Sequence, residues 1–213
     1  MHGEGELGSV LVAYQQQLQP RFKRASAAAK STETEILAGF STLLTRQAAN
    51  CFQSDFFTPG HCTGSALVVD PSFSRVVLTY HRKIGRWLQL GGHADGHPLI
   101  HEVALREAQE ESGMREFCFW PLAHHEASPA TPLPFDWDIH QIPAGAGEPA
   151  HCHFDVRYLL VARGDLTLQI SAESLDLRWF SLAELAGLDL DQSVCRLIIK
   201  LNEIRGWLGE RLL

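Results

Sequence analysis

Apolar residues recur at helical spacing near both ends of the chain. Near the N-terminus one stripe leads up to Pro20, and a second follows a capping-box pattern at Thr32 and Glu35. Residues 23–30 between the stripes are rich in Ala, Ser and Lys, which predicts a link. Asp191 is a suitable N-cap for a last helix. The three stripes are Leu7, Val10, Leu11, Tyr14 and Leu18; Ile36, Phe40, Leu43 and Leu44; and Val194, Leu197, Ile198, Leu201, Ile204 and Leu208.

From Cys62 onward, the apolar pattern changes to the alternation expected of β-strands. Turn residues such as Asp70 and Pro71 bound the segments, and Pro98 lies where the first turn of another helix can begin. The predicted strands cover residues 65–69, 75–80, 87–90, 116–120, 135–140, 153–161 and 177–180. Strands interspersed with helices predict an α/β fold.

In two neighbouring predicted strands, polar and apolar residues alternate strictly, so each strand has one polar and one apolar face. The Gly- and Pro-rich segment 142–150 lies between them, and an antiparallel pair would align the two polar rows. We interpret these rows as a wall of a substrate pocket or a second metal site, because solvated faces more often carry Lys, Glu, Ser and Thr. The rows are Asp136, Asp138 and His140, then His151, His153, Asp155 and Arg157; Trp137, Ile139, Phe154 and Val156 are expected to face the core.

The overall composition is that of an ordinary globular protein. With 213 residues, 45% of them hydrophobic and 20% charged, the chain can form one full core with an appended subdomain. We expect a helical extension over residues 1–55, which serves packing or homodimer formation, and a main domain over residues 56–213. The formal net charge of -7 makes long nucleic acid a poor partner, because phosphate binding requires a basic surface.

The sequence shows no targeting or membrane segment. No apolar run approaches the roughly 20 residues needed to span a bilayer, and the first residues lack a basic region followed by an apolar one. We therefore expect a cytoplasmic protein without a membrane partner. The five cysteines are odd in number and contain no C-x-x-C pair, which favours reduced thiols over disulfides.

A predicted helix with acidic residues on one face follows a Gly-Gly turn and is the most informative feature of the chain. Residues three and four apart are neighbours on a helix, so Glu107, Glu110 and Glu111 project to one side. Crowded acids destabilise a helix unless a cation binds them, and Arg106 offsets only part of their charge. Oxygen ligands of this kind favour Mg²⁺, Mn²⁺ or Ca²⁺ over zinc.

This segment resembles the Nudix box of the MutT-like pyrophosphohydrolases, which reads G-x5-E-x7-R-E-U-x-E-E-x-G-U, with U an aliphatic residue. Counted from Gly92, the chain departs at one position, where Pro98 replaces the first Glu. The resemblance covers roughly residues 60–185 and implies a Nudix-type α/β/α sandwich with a mixed sheet, here following an N-terminal helical extension. The matching residues are Arg106, Glu107, Ala108, Glu110, Glu111, Gly113 and Met114.

The resemblance also implies an activity and its cofactor. A bound Mg²⁺ or Mn²⁺ would polarise a diphosphate linkage for attack by water, so the implied protein is a pyrophosphohydrolase acting on a small nucleotide-like metabolite. Arg106 would orient the glutamates rather than touch the substrate. The implied metal ligands are the Gly91 carbonyl and the carboxylates of Glu107, Glu110 and Glu111.

Other residues complete the expected site. The identity of the general base that takes the proton from water is open. Glu107 is the first choice and Glu173 is the second. Basic residues just before the Gly-Gly turn could bind the non-reacting phosphate. Because a guanidinium fork fits phosphate better than a point charge, we favour Arg82 and Arg86 over Lys83.

Histidines outside the polar rows allow further interpretations. His97 and His101 are four residues apart, a spacing that can chelate a metal on a helix, but no third ligand accompanies them at helical spacing. We therefore favour helix capping or a polar surface for these two. A zinc site remains an alternative for two other segments, His61-Cys62 and His151-Cys152-His153.

Two other functions remain open beside hydrolysis. Pro98 motivates a catalytically inactive module that binds a nucleotide-like ligand as a sensor, unless Asp95 or Glu102 supplies the missing charge. A prenyl diphosphate isomerase of the same fold would need an additional Cys and Glu near the site. The three retained box glutamates favour hydrolysis, because a pure binder has no need of a crowded acidic site. Substrate identity does not follow from the sequence.

Overall fold

A computed structural model describes residues 4–21, 27–120, 131–145, 147–172 and 174–211. The helices are α1 (Glu4–Arg21), α2 (Ala27–Gln47), α3 (Ile100–Ser112), α4 (Leu182–Leu185) and α5 (Gln192–Arg211), with a 3-10 helix at Ala48–Phe52. The strands are β1 (Gly60–Val69), β2 (Arg75–His81), β3 (Trp87–Leu88), β4 (Leu90–His93), β5 (Glu116–Phe119), β6 (Asp136–Ile142), β7 (His151–Arg163) and β8 (Ser174–Ser181). Within these ranges, no helix has both the length and the apolar composition needed to cross a bilayer.

The centre of the sheet is a parallel pair of long strands, β1 and β7, in which Gly60 is opposite Cys152 and Val69 is opposite Val161. The other pairings of the named strands are antiparallel. Along its outer edge, the first half of β1 pairs with β4 and its end pairs with β2. In the same way, the first half of β7 pairs with β6 and its second half pairs with β5. The first halves of the two long strands are therefore flanked by the short strands β4 and β6.

Alternate residues of β1 pack against different helices, which makes the sheet the middle of three layers. Cys62 and Ala66 belong to apolar clusters with residues of the helices α1 to α3. Leu67 and Val69 belong to a cluster with residues of α4 and α5. The architecture is the α/β/α sandwich with a mixed sheet that the sequence predicted.

The two N-terminal helices pack on β6 and β7 through aromatic contacts. Phe40 of α2 meets Trp137 and Phe154 edge-on, with ring centroids 4.6 and 5.3 Å apart, and Tyr14 of α1 meets Trp137 at 5.9 Å. Such pairs contribute about 0.5–1.5 kcal/mol each beyond the area that they bury. The same buried cluster includes residues of α3. The segments before and after residue 55 therefore share a core.

The start of α2 differs from the prediction. The helix begins at Ala27, so Thr32 and Glu35 lie inside it and do not form its N-terminal cap. Instead, Ser31 Oγ donates to the Glu35 carboxylate at 2.9 Å, one turn along the helix. Part of the predicted link 23–30 is helical, which agrees with the high helix propensity of Ala and Lys.

The predicted strands are all present, with small differences at their ends. The segment 87–90 divides into β3 and β4, because the chain changes partner at Gln89, from β2 to β1. Asp191 caps α5 as predicted, since its Oδ1 accepts the amide of Val194 at 2.7 Å. The short helix α4 has no apolar stripe in the sequence and is begun by a capping box of Ser181 and Glu184.

Candidate functional site

The acidic helix α3 is fixed against the sheet by its apolar face. Gly64 of β1 permits the close approach, because a Cβ there would meet atoms of the first turn of α3 at 2.9–3.0 Å. The helix ends at Gly113, whose φ of 74° is the left-handed conformation that glycine adopts most easily. The buried apolar residues of α3 are Ile100, Val103, Ala104 and Ala108.

Two glutamates of α3 reach the backbone of β4 at the Gly-Gly turn. Glu111 is 6% exposed, and its Oε2 accepts a hydrogen bond from the amide of Gly91 at 3.0 Å. Glu107 lies over Gly92 so closely that a Cβ at position 92 would be 2.6 Å from its carboxyl carbon. The glycine at position 92 is thus required for the approach of a carboxylate to the strand.

Arg106 holds the Glu107 carboxylate in this position. Its Nη2 donates to Glu107 Oε1 at 2.7 Å and to the backbone carbonyl of His93 at 3.2 Å. The hydrogen bond to Glu107 and the nearby charges of Glu110 and Asp95 raise the pKa of Arg106, although partial burial opposes them. Arg106 thus holds the Glu107 carboxylate in place, and its role in a reaction stays a prediction.

The acidic face supplies the oxygen donors that a hard divalent ion requires. Glu107 and Glu111 lie against the Gly-Gly backbone, and Glu110 is exposed one turn from Glu107. The space that a side chain at position 92 would fill receives the Glu107 carboxylate, so the residues fit an ion of this class. Within the described ranges, however, the three carboxylates do not converge: one oxygen from each cannot be chosen so that all three lie within 4.8 Å of one another. Arg106 and a backbone amide bind two of them in this arrangement.

Pro98, which replaces the first glutamate of the box, lies two residues before α3. Glu102 Oε2 is bonded to His97 Nε2 at 2.7 Å near the start of the helix, so its carboxylate already has a partner there. Asp95 is close enough to Arg106 for its charge to raise the pKa of the guanidinium. Asp95 is therefore the better placed of the two acids. The contact of His97 agrees with the polar surface role expected for it.

The two polar rows lie side by side in the antiparallel pair β6 and β7. The register places Asp136 opposite Arg157 and His140 opposite His153. Trp137, Phe154 and Val156 belong to the cluster with α1 and α2, and Ile139 packs against it, as predicted. The alternation in the sequence thus predicted correctly both the pairing of the strands and which face is polar.

Arg157 is completely buried in a network of ion pairs. Its Nε donates to Asp155 at 3.0 Å, and its Nη1 donates to Asp136 at 3.3 Å. The remaining hydrogen bonds go to the carbonyl and hydroxyl of Ser193 and to the carboxylate of Asp138. All five guanidinium donors are thus used within the protein. The prediction that Arg157, Asp138 and Asp155 face the substrate is wrong for this arrangement, because the network satisfies them internally.

The C-terminal helix α5 closes over this network. Arg196 Nη2 donates to Asp136 at 2.8 Å and to Asp138 at 2.7 Å, and Lys200 reaches Asp136 at 2.7 Å and Glu33 of α2 at 2.9 Å. Burial raises the pKa of Asp136, but the three surrounding cations outweigh it and bring the pKa to about 2. The pKa of Asp138 is also lowered against the effect of burial. The network therefore holds ionised carboxylates at neutral pH.

The sequence did not identify the α5 residues of this network. Ser193, Arg196 and Lys200 lie outside the apolar stripe of the helix, and such residues are usually solvated. The spacing of three and four residues that aligns them on one side is also found on exposed helix faces. Their role follows only from the packing of α5 across β6 and β7.

The polar face continues onto β1, where the sequence had predicted no site residue. The hydroxyls of Thr63 and Ser65 donate to the two oxygens of Asp155 at 2.9 and 2.8 Å. Gln89, between β3 and β4, donates to the same carboxylate at 3.4 Å. The signal that could have found these hydroxyls is the alternation of polar and small or apolar residues over 61–66.

At the start of β1 and β7, the polar face consists of histidines. Burial, followed by the charges of neighbouring histidines, lowers the pKa of His153 to about 2, and burial also lowers the pKa of His61. Both imidazoles are therefore neutral at pH 7. His140 is 40% exposed and bonded to Asp138, and its substrate role stays a prediction. The ring centroids of His61 lie 4.8, 5.0 and 5.0 Å from those of His153, His151 and His93.

The basic residues before the Gly-Gly turn lie in the turn between β2 and β3. Arg82 donates to the carbonyls of Ala172 and Ser174 at 3.2 and 3.4 Å, at the start of β8, and its phosphate role stays a prediction. Arg86 is exposed in the same turn, and its phosphate role stays a prediction. Glu173, the second choice for the general base, lies outside the described residues.

Among known proteins, only solved structures are similar to this chain. No family model matches the sequence, and no curated protein matches it either. Among solved structures, an Ap4A hydrolase of C. elegans in a binary complex is similar, with a TM-score of 0.50 and 14% identity over 67% of this chain and 96% of that chain. The NUDIX domain of Shewanella oneidensis NrtR complexed with ADP ribose has a TM-score of 0.49 and 16% identity over 76% and 96% of the two chains. A NUDIX family hydrolase from Clostridium perfringens has a TM-score of 0.47 and 20% identity over 70% and 97%.

The architecture and the position of the acidic helix define the fold of the chain. A mixed sheet lies between helices, and α3 presents its glutamates to a Gly-Gly strand. Together with the likeness to the Ap4A hydrolase structure, these features show that the chain has the Nudix fold. At 14% identity this likeness concerns the fold alone.

Proposed function

We propose that the protein is a divalent-metal-dependent hydrolase that cleaves a phosphoanhydride bond in a nucleotide-like diphosphate. The observation that carries the proposal is the convergence of Glu107 and Glu111 on the backbone of Gly91 and Gly92. A buried carboxylate such as that of Glu111 is unfavourable unless its charge is paired or binds a metal ion. Its oxygens are hard donors, which suit a divalent ion. Mg²⁺ or Mn²⁺ is the proposed cofactor.

Each residue of the acidic face has a proposed task. The ion, when bound, would polarise the phosphate oxygens and stabilise the negative charge that develops on them. Glu110 and Glu111 are the proposed principal ligands, together with the Gly91 carbonyl. Glu107 is the proposed general base, because its carboxylate keeps 16% exposure and Arg106 fixes its orientation.

The substrate class follows from the proposed chemistry. A diphosphate linkage brings two adjacent phosphates to the ion, and a bound metal would offset the repulsion between an anionic substrate and a chain of net charge -7. The similar C. elegans structure is an Ap4A hydrolase, and Ap4A contains such linkages. Dinucleoside polyphosphates therefore belong among the first compounds to test.

A sensor without catalysis is the second candidate, and Pro98 in place of the first box glutamate favours it. We prefer the hydrolase, because the charge of Asp95 acts on Arg106 and could therefore replace part of the missing charge. The missing glutamate is also the box position furthest in sequence from the three that remain.

Turnover of a compound panel separates these two functions. Dinucleoside polyphosphates, nucleoside diphosphate sugars and nucleoside triphosphates would each be incubated with the purified protein and Mg²⁺ or Mn²⁺. We expect hydrolysis of at least one class, and we expect EDTA to abolish it. If nucleotide diphosphates bind but none is hydrolysed with either ion, the hydrolase proposal fails and the sensor gains support.

A further inference from the structure

The histidine end of the polar face presents nitrogen atoms that the proposed hydrolysis does not use. One ligand nitrogen from each of His61, His151 and His153 can be chosen so that all three lie within 4.8 Å of one another. In a tetrahedral zinc site the Zn–N distance of about 2.0–2.1 Å places the nitrogens about 3.3 Å apart. Around a bound ion, nitrogens that lie at most 4.8 Å apart would approach this spacing.

Two backbone carbonyls determine which nitrogen of His61 and of His151 is available to a metal ion. The carbonyl of Phe56 accepts from His61 Nδ1 at 3.2 Å, and the carbonyl of Pro149 accepts from His151 Nδ1 at 2.9 Å. Because a carbonyl only accepts, each Nδ1 carries the hydrogen and each Nε2 presents a lone pair. Histidines that bind metal ions are oriented in this way in proteins.

The environment of His61 Nε2 is a second, independent indication of a bound ligand. His61 is 1% exposed, and its Nε2 has no hydrogen-bond partner among the described residues. A buried acceptor without a partner is unfavourable, and native proteins contain few of them. A metal ion coordinated by this nitrogen would remove the deficit.

We propose that His61, His151 and His153 form a binding site for Zn²⁺, separate from the acidic face of α3. Imidazole nitrogens suit zinc, whereas carboxylate oxygens suit Mg²⁺ and Mn²⁺, so the two sites select different ions. The strand β4 separates them. Gly92 of this strand faces Glu107. The side chain of the next residue, His93, points to the opposite face of the sheet, where it contacts the histidines.

The cysteines that the sequence suggested as further zinc ligands are not part of this site. Cys62 and Cys152 alternate with the histidines, so they point to the other face of the sheet. Both belong to or pack against the apolar cluster under α1, α2 and α3. The proposed ligand set is therefore three histidines, which leaves coordination positions for water or another small ligand.

Zinc titration of the metal-free protein tests this site. The protein would be stripped with a chelator and titrated with Zn²⁺ in excess Mg²⁺, and Co²⁺ would serve as a spectroscopic substitute. We expect one equivalent of tightly bound Zn²⁺, a visible Co²⁺ spectrum of four- or five-coordinate type, and a zinc-dependent rise in Tm of the unmodified protein.

Matched variants assign the ligands. His61→Gln and His153→Gln should each weaken zinc binding by more than about 100-fold, since even the partners that orient metal ligands contribute 10–100-fold. His97→Gln removes a histidine outside the cluster and should bind as the unmodified protein does. Glu111→Gln should also keep its zinc affinity, which separates this site from the proposed hydrolase ion.

The outcomes are decisive in both directions. Far-UV circular dichroism and the Tm without zinc establish that each variant folds. Zinc binding by the unmodified protein that is no tighter than binding by His153→Gln would overturn the proposal. An equal loss in His97→Gln would also overturn it. If the variants do not fold, absence of the zinc-dependent Tm rise in the unmodified protein has the same meaning.

Discussion

At the scale of single residues, Glu111 is the carboxylate on which the proposed activity depends most. It is buried, and the Gly91 amide fixes it beside the strand. Replacing it with Gln keeps the shape and an acceptor oxygen but removes the charge that holds an ion. We expect Glu111→Gln to fold normally and to lose ~100-fold or more in kcat/KM, as for a major electrostatic stabiliser.

Glu102→Gln on the same helix is the control for this prediction. Its carboxylate is exposed and bonded to His97, so activity should stay within a factor of about two. Steady-state kinetics on a substrate found in the panel would measure both variants. Unchanged turnover by Glu111→Gln would contradict the assignment of the acidic face as the metal site.

Gly92 determines whether the Glu107 carboxylate can reach the strand. A methyl group at this position would lie 2.6–2.7 Å from the carboxyl atoms and would displace them. We therefore expect Gly92→Ala to lower kcat by ~10-fold or more with little change in Tm, because the displaced group is the end of a side chain.

Gly145→Ala is the matched control, because a Cβ there would meet no atom of the described residues within 4 Å. Its activity should equal that of the unmodified protein. Comparable kcat values for Gly92→Ala and Gly145→Ala would show that the position of Glu107 does not matter for the reaction.

At the scale of elements, the buried ion network joins the strand pair β6 and β7 to α5. Arg157 makes its contacts on both sides of this junction. We expect Arg157→Ala to lower the free energy of unfolding by about 3–5 kcal/mol, because it removes a buried cation that three buried carboxylates share. Urea denaturation followed by circular dichroism would measure the loss.

The exposed pair of Arg178 and Asp176 is the control for the network. The Arg178 side chain is 62% exposed, so Arg178→Ala should change the free energy of unfolding by less than about 1 kcal/mol. A loss of activity at unchanged stability in Arg157→Ala would instead restore the substrate role that the alternation suggested.

At the scale of the whole molecule, the same network makes stability depend on acid pH. Folding lowers the pKa of Asp136 from an ordinary value near 4 to about 2, although burial alone would raise it. A depressed carboxyl pKa contributes stability that is present above the unfolded pKa and is lost as the pH falls through the folded one. Asp136 alone accounts for about 2 kcal/mol by this linkage.

We therefore expect the free energy of unfolding attributable to Asp136 to be constant above about pH 5 and to fall between about pH 4 and pH 2. The measurement is a series of urea titrations over this range. Asp136→Asn should be less stable at pH 7, and its stability should decline less between pH 4 and pH 2. An identical decline in the variant would show that other carboxylates control acid unfolding.

The sequence by itself determined the features that repeat at short range. The spacing of glutamates after the Gly-Gly turn predicted the acidic face of α3, and strict alternation predicted the pairing and facing of β6 and β7. These predictions succeed because helix and strand periods relate residues that are neighbours in sequence. A shift of one residue in either strand would expose its apolar side chains, which fixes the register.

Only the tertiary structure decided what covers and completes these features. Arg157 looked like a ligand-facing cation until the packing of α5 supplied Ser193 and buried it. His61 and His153 converge because β1 and β7 pair in parallel, a contact between distant segments that local periodicity does not encode. Charge pairing and metal-ligand geometry require particular side chains within a few ångströms, and the docking of distant elements sets those distances.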